Sequence, residues 1–232
     1  MNDLERLKDL CPPPPGHTPP AVNWHDTEQS LGHRLPDDYK QLVETYGPGT
    51  FMEFVGVYQP DCPYIALDLV QQTQDVRAQL ARHQEITRQP LPHPPQELQP
   101  AGVTDNGDYL FWLKNDLQQP KSWTITVAGL KDDHWFHFDG NLTAFLVALS
   151  QHEIATPVFP DSLLRQEPSF RPHTGTPEEI EKANRSSSAV TAGPVQSQDI
   201  REWAWRNGYD APERGRIPVA IRKAYDAAHN SP

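Results

Sequence analysis

Two arginines flank a glycine near the end of the chain, in the stretch Arg214-Gly215-Arg216-Ile217-Pro218. Glycine has no Cβ, so the backbone between the two guanidinium groups can approach another molecule closely. The minor groove of A·T-rich DNA is narrow and strongly negative, and it attracts inserted arginines. Its adenine N3 and thymine O2 atoms accept hydrogen bonds. The triplet Arg214, Gly215 and Arg216 therefore predicts a contact with the minor groove of A·T-rich double-stranded DNA.

Four more basic residues in the same part of the chain suit contacts with phosphates. They are Arg201, Arg206, Arg222 and Lys223. Phosphate contacts position a protein on DNA without reading its sequence. An isolated Arg-Gly-Arg tripeptide is most often a solvated turn, so the DNA interpretation depends on the elements that hold it.

Two short helices are predicted to hold this loop, in a small domain over residues 197–232. The first helix starts at a cap, Ser197 or Asp199, and ends at Gly208, and the second starts at Pro218. The apolar stripe of the first helix is Ile200, Trp203 and Ala204. The residues predicted to form the core are Trp203, Ile217, Ile221 and Tyr225.

The acidity of the chain lies outside this region. The 232 residues include 20 Lys and Arg against 31 Asp and Glu, a formal net charge of −11. Residues 197–232 carry 6 Lys and Arg against 5 Asp and Glu. An acidic molecule disfavours nucleic acid as a partner of its whole surface. The C-terminal region is therefore a separate electrostatic region.

The composition also bears on location. The two cysteines, Cys11 and Cys62, have no metal-binding spacing and predict no disulfide framework, so a reducing cytoplasm is expected. No apolar run approaches the roughly 20 residues that span a bilayer, and the N-terminus does not resemble a signal peptide. We therefore expect a cytoplasmic protein with no membrane partner and no cofactor.

The middle of the chain, residues 156–196, is rich in Pro, Ser, Thr and Gly and has few apolar residues. Such a segment cannot bury enough surface to offset the loss of entropy on ordering. It is predicted to be a flexible linker. Within it, TPEEIEKAN predicts a short helix with Thr176 as its cap and Pro177 at its first position.

Residues 1–155 predict an α+β domain, an antiparallel sheet with packed helices. Helices are expected from about Pro36 to Tyr46 and from Leu67 to about Arg88, followed by a Pro-rich loop. FMEFVGVYQP predicts one strand, and GDYLFWLK, SWTITVAG and DHWFHFD predict three more. LTAFLVALSQHEI predicts an amphipathic helix, whereas the start around Cys11, before four prolines, is expected to be mobile.

No signature of catalysis is present. The chain has no nucleophile elbow, Gly-rich phosphate loop or zinc spacing. His134 and His137 point to opposite faces of a strand and cannot easily share a metal ion. The tryptophans Trp112, Trp123 and Trp135 are expected in the core or on a partner-binding face. The sequence predicts a protein that is not an enzyme and holds no metal.

The stretches LGHRLPDDYKQLVETYGPGTF, VTDNGDYLFWLK and SWTITVAG and the helix after them resemble the SUKH superfamily over roughly residues 20–153. That superfamily includes a yeast cell-wall synthesis regulator and many bacterial immunity proteins. The resemblance implies a scaffold that binds a protein partner, without catalytic residues common to the family.

The stretch IREWAWRNGYDAPERGRIPVAIRKAYDAA, residues 200–228, resembles the C-terminal DNA-binding domain of actinobacterial Lsr-type histone-like nucleoid-structuring proteins. The resemblance implies A·T-preferring minor-groove binding through Arg214, Gly215 and Arg216. Trp205 departs from it, because relatives often carry a basic residue there. Relatives also carry a small oligomerisation domain where this chain has the SUKH-like domain, so DNA bridging does not transfer automatically and a homo-oligomer stays an open possibility.

Two functions are compatible with this organisation. The first is a nucleoid-associated or transcription-regulating protein that docks on A·T-rich DNA and binds a protein through its first domain. The alternative is an immunity protein whose SUKH-like domain neutralises a toxin, with the tail as an accessory. An acidic surface suits a basic toxin such as a nuclease.

Overall fold

The structure, a computed structural model, describes residues 2–129, 134–156, 158–160, 163–188, 195–211, 217–218, 220–221, 224–225 and 228. The helices are α1 (Asp3–Leu10), α2 (Trp24–Leu31), α3 (Asp37–Tyr46), α4 (Leu69–Thr87), α5 (Leu142–Ser150), α6 (Pro177–Ser188) and α7 (Val195–Arg206). The strands are β1 (Gly49–Phe51), β2 (Val55–Val57), β3 (Leu98–Thr104), β4 (Tyr109–Leu113), β5 (Thr124–Gly129), β6 (His134–Phe138) and β7 (Phe170–Pro172).

The strands form one seven-stranded sheet in the order β6-β5-β4-β3-β2-β1-β7. Every neighbouring pair is antiparallel. Strands β1 to β6 follow one another as a meander, and β7 adds itself outside β1 after the chain has passed through α5. The predicted α+β arrangement of an antiparallel sheet with packed helices is confirmed.

Helices cover both faces of the sheet. Alternate residues of β4 serve opposite faces, as the pleat of a strand requires. Leu110 and Trp112 face the larger core, which also takes residues from α1, α3 and α5. Phe111 faces a smaller core with Val76 and Leu80 of α4. The sheet is therefore the middle layer of three.

Helix α5 is buried almost all round, so the predicted amphipathic pattern is wrong. Its buried residues are Leu142, Thr143, Phe145, Leu146, Val147, Ala148, Leu149 and Ser150. Helix α1 packs against it, and Thr143 donates its hydroxyl to the Asp38 carboxylate at 3.1 Å. A helix that is apolar on all sides is typical of the interior of a domain.

The run predicted as one strand over FMEFVGVYQP is a tight hairpin of β1 and β2. The chain turns at Met52 and Glu53, whose φ angles are 54° and 47°, and the Phe54 N–H donates to the Phe51 carbonyl at 2.9 Å. Neither turn residue is Gly or Asn, the usual occupants of the left-handed region. Ordinary turn chemistry therefore gave no signal here.

Strand β3 lies in the middle of the sheet, although the sequence predicted Leu98 to Pro100 as the end of the Pro-rich loop and predicted no strand over its other residues. Its Pro100 cannot donate to a neighbouring strand, and the register with β4 shifts between Pro100 and Gly102. Such a bulge is where a central strand accommodates proline. A Cβ on Gly102 would come within 2.5 Å of the Gly56 carbonyl oxygen, so the next strand approaches closely there.

The N-terminal segment is part of the core, contrary to the expectation of a mobile start. Asn2 caps α1 by accepting from the Glu5 N–H at 2.9 Å. Leu7 and Cys11 are fully buried, and the Cys11 Sγ lies 3.3 Å from the Ser150 Oγ. Burial raises the pKa of the Cys11 thiol, which keeps it protonated as a small core residue.

The predicted flexible linker is in large part folded onto the first domain. Phe159, Leu163 and Phe170 are buried members of the larger core. Phe170, Arg171 and Pro172 pair with β1 as strand β7. The prediction failed because β7 is only three residues long and is recruited by a partner far away in the chain. The fold of the first domain thus continues past residue 155.

Beyond β7 the chain stays attached through α6. We call residues 170–188, which comprise β7 and α6, the strap. The predicted cap of α6 is confirmed: Thr176 Oγ1 accepts from the Glu179 N–H at 3.3 Å, and Glu179 accepts from the Thr176 N–H at 2.8 Å. This reciprocal pair is a capping box. The helix runs past the predicted stretch to Ser188.

Side-chain contacts fix the strap at both ends. His173 Nε2 lies 2.7 Å from the Thr50 Oγ1. Asn184 Nδ2 donates to the Pro63 carbonyl at 2.8 Å, and Asn184 Oδ1 accepts from the Ile65 N–H at 2.9 Å. A carboxamide that satisfies a donor and an acceptor of one loop ties α6 to a defined place.

Across the described residues, no helix has the length and apolar character needed to cross a membrane.

Candidate nucleic-acid interface

The tail has a small hydrophobic core of its own. Its buried members are Ile200, Ala204, Ala211, Ile217 and Ile221, with Trp203 and Tyr225 packed against them. This core contains the four residues that the sequence predicted and the stripe predicted for the first helix. Helix α7 begins at Val195, so Ser197 and Asp199 lie inside it and neither is its cap.

Three aromatic rings stabilise the turn after α7. The Trp203 and Tyr209 rings are stacked, with centroids 5.4 Å apart and planes 21° apart. Trp203 meets Tyr225 edge to face at 5.5 Å. Aromatic pairs of this kind contribute about 0.5–1.5 kcal/mol beyond their area burial. Trp203 thereby links α7 to both later segments of the tail.

The end of α7 has the geometry of a Schellman motif. Gly208 has φ 78°, which confirms its prediction as the helix-ending glycine. The Tyr209 N–H donates to the Ala204 carbonyl at 2.8 Å, and the Gly208 N–H donates to the Trp205 carbonyl at 3.2 Å. These two bonds satisfy carbonyls that a helix end otherwise leaves unpaired. The chain therefore leaves α7 in a fixed direction.

Trp205 holds the outer side of the same turn. Its indole N–H donates to the Ala211 carbonyl at 2.8 Å, while 47% of the residue stays exposed. Ala211 comes directly before the segment 212–216 that carries the Arg-Gly-Arg triplet. Trp205, the residue that departs from the resemblance, thus contacts Ala211, directly before the segment predicted to enter the minor groove. Sequence reasoning assigned it no such role.

The predicted DNA-binding residues are placed as follows. Arg206 is exposed in the last turn of α7, as a phosphate contact requires. Arg201 is only 7% exposed, which argues against the phosphate contact predicted for it. The remaining residues lie outside the described part of the chain: Arg214, Gly215, Arg216, Arg222 and Lys223. The predicted second helix, from Pro218, is also only partly within the described residues and stays a prediction.

The tryptophans of the first domain belong to its cores. Trp112 and Trp123 are fully buried, and Trp112 meets Tyr39 edge to face at 4.8 Å. Trp135 packs partly buried on Phe111, with ring centroids 6.3 Å apart. Of the two predicted alternatives, the structure favours the core over a partner-binding face.

Comparison with known families agrees with this two-part organisation. The family model described as SMI1-KNR4 cell-wall, a SUKH-type family, matches residues 22–146, which is more than half of the chain. The chain therefore belongs to the SMI1-KNR4 cell-wall family. No solved structure matches the chain significantly.

A second family model matches the tail. The Lsr2 DNA-binding domain matches residues 192–228, a range that includes α7, the small core and the Arg-Gly-Arg triplet. The predicted fusion of a SUKH-type domain with an Lsr-type DNA-binding domain is thus confirmed, and the chain carries a DNA-binding domain at its C-terminal end.

Proposed function

We propose that this protein binds A·T-rich double-stranded DNA by inserting Arg214 and Arg216 into the minor groove, with Gly215 allowing close approach. The observation that carries the proposal is the Lsr2 DNA-binding domain match over residues 192–228, on a tail with its own hydrophobic core. The tail would place the protein at the nucleoid, as a nucleoid-associated or transcription-regulating factor.

Phosphate contacts complete the proposed interface. Arg206 is exposed, and Arg222 and Lys223 lie within the matched range. Neutralising about three to five phosphates gives an affinity that falls steeply with salt. One such module binds in about the micromolar range. Tighter binding requires several modules acting together, through a homo-oligomer or a shared partner.

The SUKH-type domain, in this proposal, binds a protein partner and carries out no catalysis. Its layers leave some large apolar side chains exposed, among them Ile65, Ile86 and Leu117. These side chains are scattered, and single exposed apolar residues are normal on a protein surface. The proposal therefore assigns the domain a protein partner without assigning the residues that contact it.

The test is fluorescence anisotropy of the full chain on A·T-rich and G·C-rich duplexes at several salt concentrations. The double variant R214K/R216K keeps the charge but loses the flat guanidinium fork, and R214A/R216A loses both. We expect Lys variants to retain salt-dependent binding without A·T preference, and Ala variants to lose most binding. An A·T preference that persists in both variants would contradict the proposal.

A second candidate function rests on the charge of the first domain. Outside residues 197–232 the chain carries 14 Lys and Arg against 26 Asp and Glu. Such a surface complements a basic toxin, and SUKH-type immunity proteins neutralise toxins. Under this alternative, R214A/R216A would protect cells from a basic nuclease encoded beside the gene as well as the unaltered chain does. Loss of protection in that variant would count against it.

A further inference from the structure

The two halves of the protein are joined by a short stretch of chain. Helix α6 ends at Ser188 and helix α7 begins at Val195, so six residues separate them. A chain spans at most about 3.5 Å per residue, so this stretch reaches no farther than about 25 Å. The sequence had predicted a linker over residues 156–196, which would reach several times farther.

The short reach depends on the attachment of the strap. Strand β7 pairs with β1, and the Asn184 carboxamide is bonded to the Pro63 and Ile65 backbone at the other end. Because Asn184 ties α6 to this loop, the helix up to Asn184 adds nothing to the reach of the tail. The DNA-binding domain is thereby confined to the neighbourhood of the first domain.

The part of the chain before the tail is acidic as a whole. Residues before 197 carry an excess of 12 acidic over basic side chains, against an excess of one basic side chain in the tail. Most of this charge lies on the body of the domain, because α6 itself has an excess of only one acidic side chain: its exposed charged residues are Glu178, Glu179, Glu181, Lys182 and Arg185. The screening length is about 8–10 Å at physiological salt. The stretch between α6 and α7 reaches up to about 25 Å, which exceeds this screening length. DNA held by the tail therefore comes within range of the charge mainly at low salt, where the screening length is longer.

We propose that the acidic SUKH-type domain weakens DNA binding in cis by electrostatic repulsion, and that the docked strap sets the strength of this effect. The inference rests on the proposed function of the tail. It makes the affinity of the tail depend on the charge of its neighbour. A cationic partner bound to the first domain would relieve the repulsion, so such a partner and DNA would favour each other's binding.

The first experiment lengthens the connection in the full chain. About 20 uncharged Gly and Ser residues are inserted after Ser188, which lets the domains move apart. We expect the dissociation constant to fall about three- to tenfold at 50 mM salt and the difference to vanish at high salt. Because repulsion acts on phosphates, the gain is equal on A·T-rich and G·C-rich duplexes and their affinity ratio is unchanged.

Two further full-chain variants test the parts separately. E178Q/E181Q removes exposed negative charge from α6, mimics a cationic partner and is expected to strengthen binding about twofold at low salt. N184A removes the attachment of α6 and is expected to act in the same direction as the insertion. E181A removes one negative charge and the exposed pair with Arg185 at 3.3 Å but keeps the Asn184 attachment, and its effect is expected to stay below that of E178Q/E181Q.

The outcomes separate this inference from the proposed function. If the insertion leaves affinity unchanged or lowers it, while R214A/R216A still abolishes A·T binding, repulsion in cis is wrong and the DNA function stands. If neither the original chain nor the lengthened chain binds A·T-rich DNA, the proposed function fails and this inference fails with it.

Discussion

Phe170 lies directly against Gly49. A Cβ placed on Gly49 would come within 2.3 Å of the Phe170 Cζ and 2.7 Å of the Arg171 carbonyl oxygen. The Phe170 ring also lies 4.8 Å from the ring centroids of both Tyr46 and Phe51. Because Gly49 has no side chain, the Phe170 ring at the start of the strap can pack directly against β1.

Replacing Gly49 by Ala should therefore loosen β7. Overpacking a tight site of this kind costs about 1–3 kcal/mol, and we expect the free energy of unfolding to fall by that amount in urea denaturation. Gly129→Ala is the matched control, because a Cβ at this other strand glycine meets its neighbours at 3.4 Å or more. Equal stability of the two variants would show that the contact between Gly49 and Phe170 tolerates a methyl group.

Trp205→Phe keeps an aromatic ring and removes the indole N–H that bonds to Ala211. Ala211 comes directly before the segment that carries Arg214 and Arg216, so we expect the loss of this bond to leave that segment less well oriented for DNA. A net hydrogen bond is worth about 0.5–1.5 kcal/mol. We therefore expect affinity for A·T-rich DNA to fall about three- to tenfold, with helical content unchanged. Anisotropy and far-ultraviolet circular dichroism measure the two quantities.

Arg206→Gln, one residue away, provides a contrast to the tryptophan variant. Losing a phosphate contact should weaken binding to all duplexes alike and reduce the salt slope by about one. Trp205→Phe should lower the A·T preference and leave the salt slope as it is. An identical response of the two variants would show that Trp205 does not orient the loop.

Trp203→Ala should unfold the tail while the first domain stays folded. Trp203 contacts Tyr209 and Tyr225, and truncating a large aromatic side chain in a core costs about 3–5 kcal/mol. So small a core has little stability in reserve. Hydrogen exchange should show rapid exchange over α7 and unchanged protection in β4. Slow exchange retained in α7 would refute the role given to this ring.

Stability should decline on acidification because of His33. Burial, and then the nearby Lys114 and Arg77 cations, lower its pKa from 6.5 to about 4. The unfolded chain takes up the proton first as the pH falls, so the free energy of unfolding declines from about pH 6.5 towards about pH 4. We expect a loss of about 1–2 kcal/mol, moderated by solvent screening of a partly accessible ring.

His33→Gln cannot be protonated and should flatten this pH dependence. Urea denaturation at several pH values between 7 and 4.5 measures it. His25→Gln, on the exposed side of the neighbouring helix α2, is the control for the loss of a histidine. If the free energy of unfolding of His33→Gln declines with falling pH as steeply as that of the original protein, groups other than His33 cause the decline.

The parts of the fold that could be predicted from sequence are those in which apolar residues recur at helix or strand spacing over many consecutive residues. Helices α3 and α4 and strands β4 to β6 have that character, and so does the stripe of α7. Strand β3 was missed because Pro100 and Gly102 are local signals against a strand, and a bulge overrides them. Strand β7 was missed because its stability comes from pairing with β1, far away in the chain.

The candidate site divides in the same way. The Arg-Gly-Arg triplet, the ending glycine and the apolar core residues follow from contiguous sequence. The burial of Arg201 and the bond from Trp205 to Ala211 do not, because they depend on how the turn after α7 folds back. Arg201 sits beside the stripe residue Ile200, and helical spacing alone does not say on which side the core extends.

The position of β7 also decides which fragments of the protein stay soluble. Without β7, β1 would be the outer strand of the sheet. Its backbone groups would be unpaired, and the apolar surface that Phe170 covers would be exposed. Open strand edges of this kind promote aggregation. A fragment cut at residue 155, where the composition changes, would expose both features, whereas one that ends after α6 would keep them covered.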